Sequence, residues 1–447
     1  MSFFKRDIAE FERREFDLLV IGGGINGLGI AWDAALRGLK VAVVEKDDFG
    51  GLTSAACFNI IHGGVRYLQH LDVKRLRKSV KEQRILRQIA GKIVKPLPVT
   101  VPCYGEFKKS KTFLRLGMLA YETLAVDRNK KVIGDLKLNR HQTLTQKELL
   151  NFAEGLDTQG LKAGVVFYDC QMSSSERFTL QVAKAAKRAG AAVANYLEFQ
   201  STEGSQNNNT TVVLVDKISQ KEIRLKTKVI VNATGPHFQA VSDKILASKT
   251  LHKQNKKDYV KGIQFVFKKD IGNFSIAVES RFKDKASKIN RGGRSFFLVP
   301  WHNHTLVGTY EIPVTSTQQF SISEEEINSF LKDFKHIYQD DSFNRENLIT
   351  AWGGFIPLEK NSNQVHYKVA RDDEIIDETS TPQLFHQLGF HFISVVGVKY
   401  TTFRSLSEEV VNLVFKKLKK KAPPSLTAMT RIDSDLDNFQ EVTNYAE

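Results

Sequence analysis

Residues 17–45 read DLLVIGGGINGLGIAWDAALRGLKVAVVE, and this stretch decides the fold. Its opening, Asp17–Gly22, is short and apolar, which predicts a strand buried on both faces, and Lys40–Glu45 predict a second such strand. Between them Asn26–Leu36 have the pattern of a helix, which Gly38 can end as a C-cap with positive φ. Strand, glycine turn, helix and strand in succession make a βαβ unit, so we expect a parallel sheet.

The turn after the first strand, Gly22-Gly23-Gly24-Ile25-Asn26-Gly27, fits the pattern GxGxxG. Gly22 permits a tight turn, Gly24 lets a pyrophosphate approach the backbone, and Gly27 lets the helix pack close to the strand. The helix N-terminus adds N–H groups and a positive dipole end. Glu45 closes the second strand, where its carboxylate can accept hydrogen bonds from a ribose diol. The alternative is a glycine-rich turn beside a surface glutamate, but the placement of both features favours a dinucleotide site.

The composition excludes several classes of protein. The 447 residues include 65 Lys and Arg against 50 Asp and Glu, a net charge of +15, which favours anionic ligands. No nucleic-acid-binding signature accompanies this charge, so we expect no nucleic-acid partner. Three distant cysteines, Cys57, Cys103 and Cys170, predict a reduced, cytoplasmic protein without disulfide bonds or a metal site. The charged N-terminus and the lack of a long apolar run restrict any membrane contact to the periphery.

The rest of the chain predicts further helices and strands but no internal repeat. They are a basic helix over 72–95 broken by Pro96 and Pro98, a helix over 176–190, a hairpin or loop at 205–211, strands leading to a second glycine turn at Gly235, a β-hairpin of Ser295–Trp301 and Thr305–Glu311, and a helix over 405–418 with the basic end Lys416–Lys421.

Six segments carry a resemblance to a known family. They are residues 17–69, Phe167–Arg177 (FYDCQMSSSER), Val231–Pro236 (VNATGP), Val299–Thr309 (VPWHNHTLVGT), Trp352–Leu358 (WGGFIPL) and Val396–Arg404 (VGVKYTTFR). In order and spacing they closely resemble the flavin-dependent glycerol-3-phosphate dehydrogenases, and IIHGGVRYL and KYTTFR are specific to that family. The resemblance implies FAD rather than a nicotinamide as the cofactor.

The resemblance also implies a fold of the D-amino-acid-oxidase type. This fold is α/β, with a glutathione-reductase-like FAD-binding domain and an inserted mixed β-sheet substrate domain. We expect residues 1–95, 166–240 and 346–447 to form the FAD-binding domain, the last segment including the basic C-terminal helix. Residues 96–165 and 241–345 are expected to form the substrate domain. Relatives often carry a further helical C-terminal domain, which this chain is expected to lack.

By resemblance, six regions of the chain hold the cofactor. The residues are Gly22, Gly24, Ile25, Asn26 and Gly27 at the pyrophosphate, Glu45 and Lys46 at the ribose, Thr53 and Ser54 on the path from phosphate to flavin, Ile61, Gly63 and Gly64 beside the ring, Thr234 and Gly235 at the adenosine end, and Gly397, Val398, Lys399 and Thr401 at the flavin pyrimidine.

Oxidation of an alcohol by a flavin requires a hydride acceptor, an exit for the hydroxyl proton and stabilisation of negative charge on the ring. A phosphorylated substrate also requires cationic forks. The candidates are His62 as a flavin neighbour, Arg66 and Tyr67 as a substrate-facing pair, Arg371 at a phosphate, Lys399 beside flavin and substrate, and Gln264 in place of a family histidine. The structural alternatives are a core histidine, an ion-paired Arg66, an exposed Lys399 and an Arg371 paired with Asp372.

The sequence also departs from the family pattern. Ile356 stands where the family has an arginine in G-x-R-P-L, and Gln264 stands where it has a histidine. Glutamine has no titratable acceptor near neutral pH, so one candidate base and one phosphate fork are missing. Val398 replaces a glycine, and Cys57-Phe58-Asn59 replace Ser-Ser-Lys. We interpret Cys57 as a small buried side chain rather than a nucleophile.

The predicted function is FAD-dependent oxidation of glycerol 3-phosphate to dihydroxyacetone phosphate, or of a related small hydroxy anion, with electrons passed to a quinone or another acceptor. The alternatives are an oxidoreductase of the D-amino-acid-oxidase type on an amine or hydroxy acid, and a catalytically degenerate FAD-binding protein. Phe4, Ile8 and Phe11 on one face of an N-terminal helix, with the basic Lys416–Lys421, suggest peripheral contact with an anionic surface on the cytoplasmic face of the inner membrane.

Overall fold

The computed structural model describes residues 6–105, 110–206, 209–246, 257–279, 295–314, 316–359 and 368–434. The α-helices are α1 Ala9–Arg13, α2 Ile25–Leu36, α3 Val73–Ile89, α4 Lys111–Leu124, α5 Gln146–Leu150, α6 Ser175–Arg188, α7 Phe238–Leu246, α8 Glu324–Lys335, α9 Pro382–Leu388 and α10 Phe403–Lys417. The strands are β1 Glu15–Ile21, β2 Val41–Val44, β3 Ile60–Ile61, β4 Val94–Tyr104, β5 Gln142–Thr145, β6 Leu161–Met172, β7 Ala192–Ala194, β8 Leu197–Gln206, β9 Asn209–Asp216, β10 Glu222–Asn232, β11 Tyr259–Phe267, β12 Ser275–Glu279, β13 Ser295–Trp301, β14 His304–Val314, β15 Leu348–Glu359, β16 Lys368–Val369, β17 Glu374–Asp377 and β18 His391–Val396.

The first sheet contains the predicted βαβ unit. Its strands run in the order β17-β18-β10-β1-β2-β7, with β9 also paired to β10 and β8 to β9. Strand β1 pairs in parallel with β2, as predicted, and also in parallel with β10. Its residues from Phe16 to Ile21 are buried because helices α2, α6 and α10 cover one face of the sheet and apolar residues of β8, β9 and α7 cover the other. The carboxyl ends of β1, β2, β10 and β18 therefore meet at one edge.

The second sheet has ten strands, in the order β16-β15-β11-β14-β13-β12-β4-β6-β3, with β5 paired to β6. Most pairs are antiparallel, and β12 with β4 is parallel, so the sheet is mixed as predicted. Helix α8 packs its apolar side on this sheet, where the ring of Phe330 stacks on that of Phe265 at 3.7 Å between centroids. The two sheets confirm the predicted fold class.

Sheet membership moves two of the predicted domain boundaries. Strand β15 pairs with β11 from Leu348 to Pro357, so it belongs to the second sheet and not to a final FAD-binding segment that starts at 346. Strand β6 continues along β4 to Met172, beyond the boundary at 165. Both strands are long because their partners are long, and a sequence pattern does not show where pairing stops. The remaining segmentation stays a prediction.

Several local predictions are resolved by the same strands. The hairpin of β13 and β14 is confirmed, with His302 and Asn303 both at positive φ in its two-residue turn. The polar tract joins β8 to β9, and residues 207–208 at its tip lie outside the described residues. The expectation that Pro96 and Pro98 break the basic helix is wrong. The helix already ends at Ile89, and both prolines lie within β4, opposite Cys170 and Tyr168.

The apolar side of the N-terminal helix does not face lipid, contrary to expectation. Phe11 is fully buried and packs on Phe16, with 6.1 Å between ring centroids, and Ile8 packs against the same core. Phe4 lies outside the described residues. At the basic C-terminal run, Lys417 binds Asp377 and Lys420 binds Asp17. No helix in the described part of the chain is long and apolar enough to cross a membrane.

Candidate cofactor and substrate site

A cavity of about 650 Å³ lies where the edge of the first sheet meets the face of the second. The first sheet contributes the β1–α2 turn, the segment after β2, the turn at Thr234-Gly235 and the loop after β18. The second sheet contributes Gly262, Gln264, Thr309 and Gly354–Ile356. The cavity therefore extends from the predicted dinucleotide turn to the predicted substrate domain.

The glycine turn is required by the fold and also opens the cavity. Gly22 has φ +108°, and a Cβ on Gly27 would lie 1.9 Å from the carbonyl oxygen of Gly22, so no side chain fits there. A Cβ on Gly24 would approach only the Ser54 hydroxyl, at 3.1 Å. The same hydroxyl accepts a hydrogen bond from Ile25 N (3.0 Å) at the start of α2. Gly24, Ile25, Asn26 and Ser54 all line the cavity.

Glu45 lies beside this turn at the end of β2. Its Oε2 accepts from Gly23 N at 2.7 Å, and its Oε1 accepts from Asp47 N at 2.9 Å. Burial raises the pKa of Glu45 above its ordinary value, although both backbone bonds oppose the shift. Lys46, Thr234 and Gly235 line the same cavity, so the residues predicted for the ribose and adenosine end are brought together.

The loop after β18 closes the other end. A Cβ on Gly397 would meet the Asn26 Nδ2 atom at 2.0 Å, so the loop lies directly on the start of α2. Asp373 holds the loop, since its Oδ1 accepts from Val398 N at 2.8 Å. The neighbouring Asn26 Oδ1 is buried and has no donor among the described residues. A bound ligand with a donor group could satisfy it.

His62 and Lys399 lie together at this end. The His62 backbone N–H donates to Thr401 Oγ1 (3.3 Å), and its ring lies edge-on to the Tyr67 ring at 6.0 Å. Burial, together with the charges of Lys399 and Arg66, lowers the pKa of His62 to about 4, so its imidazole is neutral at pH 7. The Lys399 Nζ lies 4.9 Å from the centroid of the Tyr67 ring and donates to the Arg371 carbonyl at 2.6 Å.

Other predicted site residues lie off the cavity wall. The side chains of Arg66 and Arg371 are exposed and are absent from the lining, and Tyr67 reaches it only through His62 and Lys399. Gly27 lies within helix α2, while Ile61, Gly63 and Gly64 support the loop that carries His62. The alternative that Arg371 pairs with Asp372 is also wrong, because Asp372 binds the guanidinium of Arg75.

The substrate side of the cavity is more apolar than the family pattern implies. Gln264 is 4% exposed, and the end of its side-chain amide that lies 3.0 Å from the carbonyl oxygens of both Ala56 and Trp352 is assigned as the nitrogen, because only the nitrogen can donate to them. Ile356 lines the cavity next to Gly262. Among the described lining residues, Lys46, Lys244 and Lys399 are the only lysines, and no arginine is present. Of these three lysines, Lys399 is the one whose charge acts on His62.

Two carboxylates that no sequence motif singles out support this end of the cavity. Asp373 holds the loop after β18, and Asp169 on β6 holds the loop after β3 through Gly63 N. Asp169 is part of the FYDCQ segment, and Asp373 follows the segment Arg371-Asp372. An acidic residue placed next to or within a buried strand is the signal that could have identified both, because such a carboxylate needs donors.

The cavity fits FAD. Its volume lies in the range of about 300–1,000 Å³ that cofactor sites occupy. The open side of Gly24 and the N-terminus of α2 suit a pyrophosphate, and the Glu45 carboxylate suits a ribose diol. The buried Asn26 Oδ1 beside the 397–401 loop has no donor among the described residues, so a donor group of the cofactor can bind it. We propose these residues as the contacts of the cofactor.

Comparison with known proteins places the chain in a family. Residues 17–402 match the model of the FAD dependent oxidoreductase family. A glycerol-3-phosphate dehydrogenase of Synechocystis sp. is 30% identical over 433 residues, covering 94% of this chain and 74% of the relative. The human mitochondrial glycerol-3-phosphate dehydrogenase is 30% identical over 431 residues, covering 92% of this chain and 54% of that protein, so this chain spans about half of its length.

A solved structure shows the same fold. It is the glycerol-3-phosphate dehydrogenase from Bacillus halodurans complexed with FAD, with a TM-score of 0.68 and 22% identity over 94% of this chain and 68% of that one. The family match, the cavity and the glycine turn agree on FAD as the cofactor. The chain therefore belongs to the FAD-dependent oxidoreductases, as a divergent member of the glycerol-3-phosphate dehydrogenase family.

Proposed function

We propose that this protein oxidises glycerol 3-phosphate to dihydroxyacetone phosphate, or oxidises a closely related small hydroxy anion. The observation that carries the proposal is the pairing of a neutral His62 with a cationic Lys399 at the end of the cavity where the 397–401 loop lies. The curated relatives named as glycerol-3-phosphate dehydrogenases support this choice of substrate.

The two residues can divide the work of alcohol oxidation. Bound FAD supplies the acceptor for the hydride that leaves the carbinol carbon. The neutral imidazole of His62 can accept a hydrogen bond from the substrate hydroxyl and orient it, and its pKa of about 4 keeps it neutral over the physiological range while making it a weak base. Lys399 places a fixed positive charge nearby, which favours an anionic substrate and any negative charge that develops on the ring. Gln264, tied to two carbonyls, can orient but cannot take a proton.

One feature favours a second substrate class. Ile356 leaves the described lining near His62 without a guanidinium, so a doubly charged phosphate meets only Lys399 there. An amine or hydroxy acid with a single carboxylate would need fewer cations, in line with the D-amino-acid-oxidase type of chemistry. We rank it second because the chain's relatives and motifs favour the phosphate ester.

An anaerobic substrate panel separates the candidates. Glycerol 3-phosphate, lactate and glycolate, and a set of amino acids are each mixed with the oxidised holoprotein, and loss of the visible flavin absorbance is followed. We expect bleaching with glycerol 3-phosphate. Bleaching by amino or hydroxy acids alone would support the second class, and no bleaching by any compound would support a degenerate FAD-binding protein.

We further propose a quinone as the electron acceptor and an anionic membrane surface as the place of contact. Support for the membrane proposal comes from α4, whose outer side exposes Phe113, Leu116 and Leu119 next to Lys111 and Arg115. An apolar ridge beside basic residues suits a lipid headgroup region. Flotation with anionic vesicles at low salt should recover the protein, and Leu116→Ser should reduce that recovery. Recovery unchanged by the substitution, or no binding at low salt, would exclude this surface.

A further inference from the structure

We propose that Asp169 is a positioning residue, which holds the loop Ile61–Gly64 so that His62 stays at the cavity wall. The inference rests on the proposed function of His62 and deepens it. Asp169 lies on β6, behind the wall, and does not line the cavity.

The carboxylate and one glutamine grip the loop on both sides of His62. Asp169 Oδ1 accepts from Gly63 N at 2.5 Å and from the Gln83 side-chain amide at 2.9 Å. The same amide nitrogen donates to the carbonyl of Ile61 at 2.9 Å. His62 is thus flanked by two backbone groups whose places are set by one buried pair, Asp169 and Gln83.

The loop has little freedom to move away from this pair. A Cβ on Gly63 would lie 2.2 Å from the Tyr121 hydroxyl, and a Cβ on Gly64, which has φ +82°, would lie 2.7 Å from the Tyr67 ring. The His62 N–H bond to Thr401 Oγ1 then joins this loop to the 397–401 loop. A shift of Gly63 would therefore change the distance between His62 and Lys399.

The surroundings make Asp169 a strong but titratable acceptor. Gln83 and Arg87 face it from α3, Tyr121 from α4 and Cys170 from its own strand, while its β4 neighbour is Leu97. No ion pair with Asp169 is present within the described chain. Burial raises its pKa to about 6, against the bonds from Gly63 and Gln83 and the charge of Arg87. Below that pH the carboxyl becomes neutral, and its hydrogen bonds to the loop weaken.

If Asp169 had a purely structural role, its replacement would lower the thermal stability together with the reaction rate. Because the folded-state pKa is raised above the ordinary value of 3.8, the ionised form is unfavourable in the folded protein. Neutralising the group by Asp169→Asn should therefore leave thermal stability near pH 8 unchanged or increased. A loss of reaction rate without a loss of stability would identify positioning.

The test uses the holoprotein in three forms, the wild type and two variants, and one reaction. Anaerobic flavin reduction by glycerol 3-phosphate is measured from about pH 5 to about pH 8 for the wild type, for Asp169→Asn and for Asp33→Asn. Asp33 controls for the loss of a buried carboxylate elsewhere, since it is buried with a raised pKa and binds Arg37 and Ser425 away from the cavity. The pH dependence of the bound flavin's visible spectrum is recorded in parallel, with no substrate present.

We expect the wild-type rate to fall as the pH drops through about 6, with a matching spectral transition. Asp169→Asn should reduce the flavin about tenfold more slowly at pH 8, the effect of one weakened charged hydrogen bond, and should lack both transitions. Asp33→Asn should keep both. The proposal is overturned if Asp169→Asn retains the wild-type rate and transitions, or if the wild type shows no spectral transition near pH 6. A wild type that fails to react with any substrate contradicts the proposed function, whereas the spectral transition still decides the role of Asp169.

Discussion

Introducing a guanidinium at position 356 tests how the substrate is held. Ile356 lies on β15 and lines the cavity beside Gly262, where the related family has an arginine. Among the described residues near His62 in the lining, Lys399 is the sole cation. An arginine binds phosphate through two parallel, charge-assisted hydrogen bonds, which isoleucine cannot make. Ile356→Arg should therefore improve the use of glycerol 3-phosphate.

The size of the improvement follows from one missing partner. A hydrogen bond to a charged group contributes about 1.5–3 kcal/mol. That free energy corresponds to about a ten- to hundredfold change in affinity. We expect kcat/KM for glycerol 3-phosphate to rise by such a factor in Ile356→Arg, mainly through a lower KM, because the phosphate is remote from the reacting carbon.

The assay is steady-state oxidation of glycerol 3-phosphate with an artificial electron acceptor. Ile356→Met is the matched control, since methionine keeps an apolar side chain of similar size beside Val260 and Leu358 but adds no charge. Methionine should leave kcat/KM close to the wild-type value. If the wild type already has a micromolar KM and arginine adds nothing, another cation holds the phosphate and the reasoning from Ile356 is wrong.

Three further predictions concern the cofactor and the catalytic pair. Gly24→Val should give a folded but largely FAD-free protein, measured by the flavin-to-protein absorbance ratio. The control Gly38→Asn, at an open site with positive φ, should keep its FAD. Normal FAD content in Gly24→Val would refute the assignment of the glycine turn to the cofactor. Lys399→Met should lower kcat/KM for anionic substrates by about tenfold or more with FAD content unchanged, and an undiminished rate would remove Lys399 from the site. The pKa of His62 is lowered to about 4 in the folded protein, so protonation of this histidine favours the unfolded chain as the pH falls from 6.5 toward 4. The melting temperature of the apoprotein should therefore fall less steeply over that range in His62→Gln than in the wild type. Equal slopes would contradict a buried neutral His62.

The sequence predicts the cofactor end of the molecule well, because that chemistry constrains the backbone locally. Gly22 needs positive φ, Gly27 leaves no room for a side chain, and Glu45 must follow the second strand, so all three are visible as a short pattern. The apolar periodicity of β1, α2 and β2 fixes their order and direction. Each of these requirements is local to the backbone, so a short sequence pattern is enough to reveal it.

The substrate end depends on contacts between distant segments, which a sequence pattern predicts only in part: His62, Gln264 and Lys399 line the cavity, and Arg66 and Arg371 do not. Nothing local shows that Arg66 and Arg371 do not line the cavity, that Asp372 binds Arg75, or that Asp169 reaches Gly63. Phe11 has the spacing of a lipid-facing residue, yet it is buried because Phe16 and the first sheet lie beside it. Pro96 is tolerated in a strand since prolines need only avoid the positions that donate to the ladder.

The central claim is that FAD in this cavity accepts electrons from glycerol 3-phosphate next to His62 and Lys399. Its most direct test is rapid anaerobic mixing of the oxidised holoprotein with glycerol 3-phosphate, with visible flavin absorbance as the signal. We predict full bleaching, at a rate that saturates with substrate and falls steeply in His62→Gln and in Lys399→Met. An absorbance that stays unchanged at saturating glycerol 3-phosphate, in protein that dithionite bleaches normally, would contradict the account.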